Sequence, residues 1–127
     1  MRRIRHQVTG GDALEKLPMQ EFALAPGSAI AITGANEGIG KEAAVYLAKA
    51  GYVPIVCARS APKVEAAVSA VKEAVGSGAR VEGVEIDLAD FGSVERATAA
   101  IIDAAETLNA PLRGLLLNAG VWPTERR

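Results

Sequence analysis

The chain has 127 residues, half of them hydrophobic and only 4% aromatic, with a formal net charge of −1. That length allows one domain with a core of Ala, Val, Ile and Leu, a composition that suits parallel strands sandwiched between helices. The charge balance argues against a nucleic-acid partner, no apolar run approaches the roughly 18 residues of a transmembrane span, and the single Cys57 excludes an internal disulfide or a cysteine metal cluster.

Residues 1–27 read as an N-terminal arm. Arg2, Arg3, Arg5 and His6 make its start basic, and Leu14, Leu17, Met19, Phe22 and Leu24 give it apolar points that can lie against the domain edge. No secretory core follows the arginines, so the expected compartment is the cytoplasm or an organelle interior rather than the outside of the cell. Pro26-Gly27 punctuates the entry to the domain, residues 28–127.

Ser28 to Thr33 reads as a buried strand. Thr33-Gly34-Ala35-Asn36-Glu37-Gly38-Ile39-Gly40 then turns into a helix from Gly38 to Ala50, with Ile39, Ala43, Tyr46, Leu47 and Ala50 at helical spacing. A glycine-rich turn from a strand into a helix lets the backbone approach a pyrophosphate and aims free N–H groups at it. Gly51 stands at a helix C-terminus. Tyr52 to Cys57 is a second strand, with Pro54 expected near its start because it cannot donate to a ladder. Ala61 to Val75 is a second helix with Pro62 in its first turn, closed by Gly76-Ser77-Gly78. Val81 to Ile86 is a third strand, and Phe91 to Leu108 a third helix with Asp90 as its N-cap. After Pro111, Leu112 to Leu117 is a fourth strand, ending at Asn118-Ala119-Gly120.

This alternation predicts a three-layer α/β Rossmann fold, in part: a parallel sheet in the order 3-2-1-4 with helices on both faces. In such a sheet the strands' C-terminal ends form the ligand rim at the switch point. Gly34 to Gly40, Arg59, Asp87 and Asn118 all fall on that rim.

Thr33-Gly34-x-x-x-Gly38-Ile39-Gly40, Asp87-Leu88 and Asn118-Ala119-Gly120 together resemble the N-terminal part of the short-chain dehydrogenase/reductase family. The resemblance runs from about Ser28 to Val121. Ile32 to Glu42 and the Cys57-Ala58-Arg59-Ser60 end of strand 2 are similar to the retinol dehydrogenase and protochlorophyllide reductase branch. Leu117 departs from the pattern, since many members carry a second asparagine there.

The resemblance implies a dinucleotide site made of Gly34, Asn36, Gly38, Ile39, Gly40, Arg59, Asp87, Leu88, Asn118, Ala119 and Gly120. Gly34 permits the turn, Gly38 the backbone approach and Gly40 close helix packing, with amides near Asn36 to Ile39 on the phosphates. Strand 2 ends without the carboxylate that accepts from a ribose 2′-hydroxyl. Arg59 stands there instead, and a guanidinium grips a 2′-phosphate, so NADP(H) is favoured over NAD(H). Arg59 also reads as an exposed strand cap, and Lys41 as added charge or a solvated helix residue. Asp87 reads either as the partner of the adenine amino group, with Leu88 bordering the ring, or as an Asx turn. Asn118 can tie strand 4 to a neighbour, and the small residues after it admit the nicotinamide ribose. Cys57 reads as an inert buried thiol.

The family's catalytic tyrosine precedes a lysine by four residues. Here Ala50 follows Tyr46 at that spacing and Val56 follows Tyr52, so no catalytic residue is assigned. The expected function is the NADP(H)-binding half of a short-chain oxidoreductase acting on a carbonyl, alcohol or conjugated double bond of an apolar substrate. A C-terminal half or a partner subunit is expected to cover strand 4, and substrate to bind only in the full-length form. The alternative is a non-catalytic nucleotide-binding or structural subunit of a larger assembly.

Overall fold

The computed structural model describes residues 24–120. Residues 1–23 of the arm and 121–127, with Trp122, lie outside the described residues. Among the described residues four strands, β1 (Ala29–Thr33), β2 (Val53–Ala58), β3 (Glu82–Glu85) and β4 (Leu112–Leu116), alternate with three helices, α1 (Gly38–Lys49), α2 (Ala61–Val75) and α3 (Phe91–Thr107). The sheet is parallel throughout and ordered β3-β2-β1-β4, as the sequence predicts.

Both central strands are buried along their whole length, so their residues alternate between two cores rather than between core and water. Ile30, Ile32 and Val56 face one core with Ala44 of α1 and Ala67 and Val71 of α2. Ala29, Ala31, Val53, Ile55 and Cys57 face the other with Ala97, Ala104 and Ala105 of α3. Alanines on the inner helix faces let the helices lie close to the sheet, which is how so few aromatics fill the core.

Pro54 is the second residue of β2 and pairs with Ile30 of β1. The N–H of Val53 donates to Ser28 O of the β1 segment, so the next nitrogen along β2 points the other way, toward β3. The β2–β3 register begins only at Ile55–Glu82, so the missing donor falls where no ladder exists. Gly51 has φ +94 just beyond α1 and its N–H donates to Ala48 O, which closes that helix.

Element ends differ from the sequence reading by single residues. β3 is shorter because its pairing stops at Glu85, although Ile86 N–H still donates to Ala58 O at 2.8 Å. β4 stops at Leu116, where the chain turns and Asn118 N–H donates back to Leu116 O. A register shift between Ala29 and Ile30 puts Gly114 opposite Ile30, with Arg113 skipped. A Cβ on Gly114 would sit 3.0 Å from Ile30 Cγ1 and 3.4 Å from Leu24 Cδ1, so the glycine makes room for both. Tyr52 Oη donates to Leu24 O at 2.9 Å and ties that entry segment to the start of β2.

β4 differs from its neighbours. Among the described residues it pairs with β1 alone, and Leu112, Leu115 and Leu116 are exposed. Leu115 shares the face of Ala31, the α3 side, but α3 packs over β3 and β2. Among the described residues no helix is long and apolar enough to cross a membrane.

Candidate functional site

The C-terminal ends of all four strands open onto one cleft of about 420 Å³. β1 brings Gly34, Asn36 and Glu37; β2 brings Ala58 and Arg59, with Lys63 from α2; β3 brings Ile86 to Ala89; β4 brings Asn118, Ala119 and Gly120. Eight of the eleven residues expected from the sequence line this cleft: Gly34, Asn36, Arg59, Asp87, Leu88, Asn118, Ala119 and Gly120.

The glycine turn is pinned on two sides. Ala35 N–H donates to Cys57 O at 3.1 Å, holding the turn to the end of β2. On the other side Thr33 Oγ1 accepts from both Asn118 N–H and Ala119 N–H at 3.0 Å. Asn118 Nδ2 lies 3.4 Å from Thr33 O and 3.5 Å from Gly34 O, so its amide spans the end of β1.

The three glycines do different work. Gly34 has φ +64, and a Cβ there would lie 2.9 Å from Ala119 Cα, so it serves both the turn and the approach of β4. Gly40 is buried beneath the turn, where a Cβ would overlap the Gly34 carbonyl oxygen and sit 2.6 Å from Asn118 Nδ2. Gly38 has φ +59 with open space where a Cβ would be. Gly38, Ile39 and Gly40 do not line the cleft with side chains, and the Ile39 side chain is 79% exposed. What this segment offers is backbone. Lys41 N–H bonds back to Glu37 O, so the amides of Gly38 to Gly40 precede the first intrahelical bond of α1. Glu37, the N-cap residue, makes no side-chain bond to them. Free amides at a helix start suit an anion.

Asp87 and Asp90 divide two tasks. Asp90 accepts from Gly92 N–H at 2.9 Å and caps α3. Asp87 Oδ1 accepts from Ala89 N–H at 3.0 Å, the Asx-turn geometry, and its own N–H donates to Ser93 Oγ at 2.8 Å. The Asx turn is therefore present, and it fixes Asp87 at the cleft wall.

Several cleft residues escaped the sequence reading. Lys63 lines the cleft, whereas Lys41, the lysine considered for added charge, does not. The signal was available: Lys63 follows Arg59 by four residues in the first turn of α2. Glu37, Ala58, Ile86 and Ala89 also line it, and Thr33 and Ser93 hold its walls. Neither tyrosine does: Tyr46 is exposed on α1 and Tyr52 is engaged with Leu24. Cys57 lies one residue behind the rim, fully buried, and burial pushes its thiol from an ordinary 9.0 up to about 11, against a smaller opposing effect of a backbone hydrogen bond at Ile32. Among the described residues no three of His, Cys, Asp and Glu come together as a metal site.

Comparison with known families agrees with this architecture. Residues 28–127 match the short chain dehydrogenase model. The chain belongs to the short-chain dehydrogenase family. Among curated members, the short-chain dehydrogenase/reductase sthC of Phaeosphaeria nodorum is 38% identical over 75% of this chain and 29% of its own length. Human retinol dehydrogenase 13 is 34% identical over 96% of the chain and 35% of its own length. This chain thus spans about a third of those relatives. Among solved members, L-sorbose reductase from Gluconobacter frateurii, complexed with NADPH and L-sorbose, superposes with a TM-score of 0.62 at 28% identity, covering 80% of this chain and 36% of that one. The cleft therefore lies at the switch point of a short-chain dehydrogenase sheet, where β1 has β2 on one side and β4 on the other.

Proposed function

We propose that residues 28–127 form the NADP(H)-binding part of a short-chain oxidoreductase, preceded by the arm of residues 1–27. The observation that carries this reading is the convergence of Arg59 and Lys63 with the glycine turn on one cleft. In this assignment the amides between Asn36 and Gly40 take the pyrophosphate. Asp87 and Leu88 take the adenine, and Asn118, Ala119 and Gly120 border the nicotinamide ribose. Arg59 grips the 2′-phosphate through its planar donors, and Lys63 adds a point charge beside it. The NADPH complex of L-sorbose reductase supports the same cofactor choice.

When bound, the nicotinamide supplies hydride transfer. These residues bind and orient it, and proton transfer and substrate recognition fall to residues beyond this chain or to a partner subunit. The similarity to retinol dehydrogenase 13 supports the retinol dehydrogenase-like branch and an apolar substrate with a carbonyl, alcohol or conjugated double bond.

Titration of the chain with NADPH and NADH tests the assignment. NADPH is expected to bind more tightly, and Arg59→Ala to weaken NADPH about tenfold while changing NADH less than about twofold. Tighter binding of NADH by the unmodified chain overturns it.

A further inference from the structure

Asp87 is the first residue past the sheet on β3. The last bond from this segment to β2 runs from Ile86 N–H to Ala58 O at 2.8 Å. Successive N–H groups along a strand point to opposite sides, and among the described residues no strand pairs with the other side of β3. The Asp87 N–H therefore has no ladder to join, and Ser93 Oγ accepts it at 2.8 Å. Ser93 is the third residue of α3, where a polar side chain commonly reaches back to the N–H of the N-cap. Here the N–H of the N-cap, Asp90, already donates to Asp87 O at 3.1 Å, so the serine reaches further back, to Asp87 itself. Asp87 is thus held at its N–H, at its C=O and, through Ala89 N–H, at Oδ1. The second carboxylate oxygen, Oδ2, lies outside that turn. Ser93 is half-buried and does not itself line the cleft.

We propose that Ser93 is the positioning residue through which this cleft reads the exocyclic amino group of adenine, by holding Asp87 where its second carboxylate oxygen meets that group. The proposal rests on the placement of adenine at Asp87 in the NADP(H) reading above, and adds the residue on which base recognition depends. A carboxylate on a loose segment must be ordered before it accepts a hydrogen bond, and that cost offsets the bond; one already clamped avoids it. Because Ser93 acts on the base end alone, its loss costs base discrimination rather than phosphate binding.

NADPH fluorescence gives the affinity of the full chain for the dinucleotide. Displacement of NADPH by adenosine 5′-monophosphate and by purine riboside 5′-monophosphate isolates the amino group, the one difference between these competitors. The unmodified chain is expected to hold the adenine nucleotide about fivefold more tightly. In Ser93→Ala the preference is expected to fall below about twofold. Ser93→Thr keeps the hydroxyl and is expected to keep the preference, whereas Ser93→Val, of the same shape as threonine without the hydroxyl, is expected to lose it. In an Asp87→Ala background, Ser93→Ala is expected to change the ratio no further. Circular dichroism confirms that each variant is folded, and the Thr and Val pair carries the test if Ser93→Ala is not. Equal weakening of both competitors, which a merely structural serine would give, overturns the proposal, and so does a preference lost equally in Ser93→Thr and Ser93→Val. If the preference exists and survives removal of the hydroxyl, only this inference falls. If NADPH binds but the unmodified chain does not separate the competitors, the adenine placement falls with it. If NADPH does not bind, the NADP(H) reading falls and this inference with it.

Discussion

At the residue scale, the glycines of one motif are unequal, and substitution separates them. A methyl group at Gly40 has nowhere to go: it meets the Gly34 carbonyl and the Asn118 amide, both part of the brace between β1 and β4. Gly40→Ala is expected to destabilise the fold by about 1–3 kcal/mol and to disturb the cleft through Asn118. Gly38 faces open space, so Gly38→Ala meets only the backbone cost of φ +59, about 1 kcal/mol. Chemical denaturation of both variants checks the order, and equal losses would contradict it. Cys57 offers a second test. Its thiol titrates higher in the folded chain, at about 11 against 9.0, so the unfolded chain releases the proton first as pH rises. The associated stability is fully present below pH 9 and is lost as pH approaches 11, about 2–3 kcal/mol in all. The unmodified chain is therefore expected to lose more stability than Cys57→Ala between pH 8 and pH 10.5, as read by urea unfolding at each pH. The site was legible at this scale where a residue type announces its chemistry, as with Arg59 and the three glycines. Glu37 and Lys63 were passed over because a charged residue on a turn or helix start reads as solvated until the turn of the chain beside it is known.

At the scale of elements, the order and type of every strand and helix among the described residues followed from periodicity and punctuation: glycine at the turns, proline at Pro62 and Pro111, and Asp90 before α3. Contacts between elements did not follow, because they depend on which side of the sheet each crossover lands. Gly83 in β3 is the clearest case. It reads as an ordinary weak strand residue, yet a Cβ there would overlap Val64 Cγ1 and lie 3.1 Å from Val68 Cγ2, both on α2. The glycine lets α2 descend onto β3, where its apolar stripe closes the core that also holds Ala67 and Val71. Gly83→Ala gains strand propensity but forces the helix outward, and the overlap outweighs the gain. A net loss of about 1–3 kcal/mol is expected, and pairing it with Val64→Ala is expected to recover part of that loss. A double-mutant cycle in urea measures the recovery. Simple additivity would show that α2 does not press on β3 at this point. The Gly114 bulge has the same logic: Ile30 and Leu24 claim the space, and nothing in the local sequence foretells the skipped Arg113.

At the scale of the whole molecule, the two sheet edges are treated differently. At the β3 edge the face is covered: α2 and α3 both pack on β3, and Val84 is buried. At the β4 edge Leu115 is 61% exposed and Leu117, just beyond the strand, 75%. Among the described residues no strand pairs with the outer side of β4, and such an edge with leucines on its surface is a template for pairing with another chain. The cleft and this edge share the same strand, since Asn118, Ala119 and Gly120 continue directly from β4. Cover on the edge is therefore expected to affect order at the end of the cleft proposed for the nicotinamide. Isolated in solution, the chain is expected to self-associate as its concentration rises, and Leu115→Lys with Leu117→Lys to suppress the association by placing charge on the pairing edge. Sedimentation velocity across a concentration series reads this directly. Thr33 and Asn118 keep their mutual bonds in that double variant, so nucleotide binding is expected to persist in the monomer. Association that persists in the double variant would remove β4 as its cause, and binding lost along with association would show that the cleft forms only between chains.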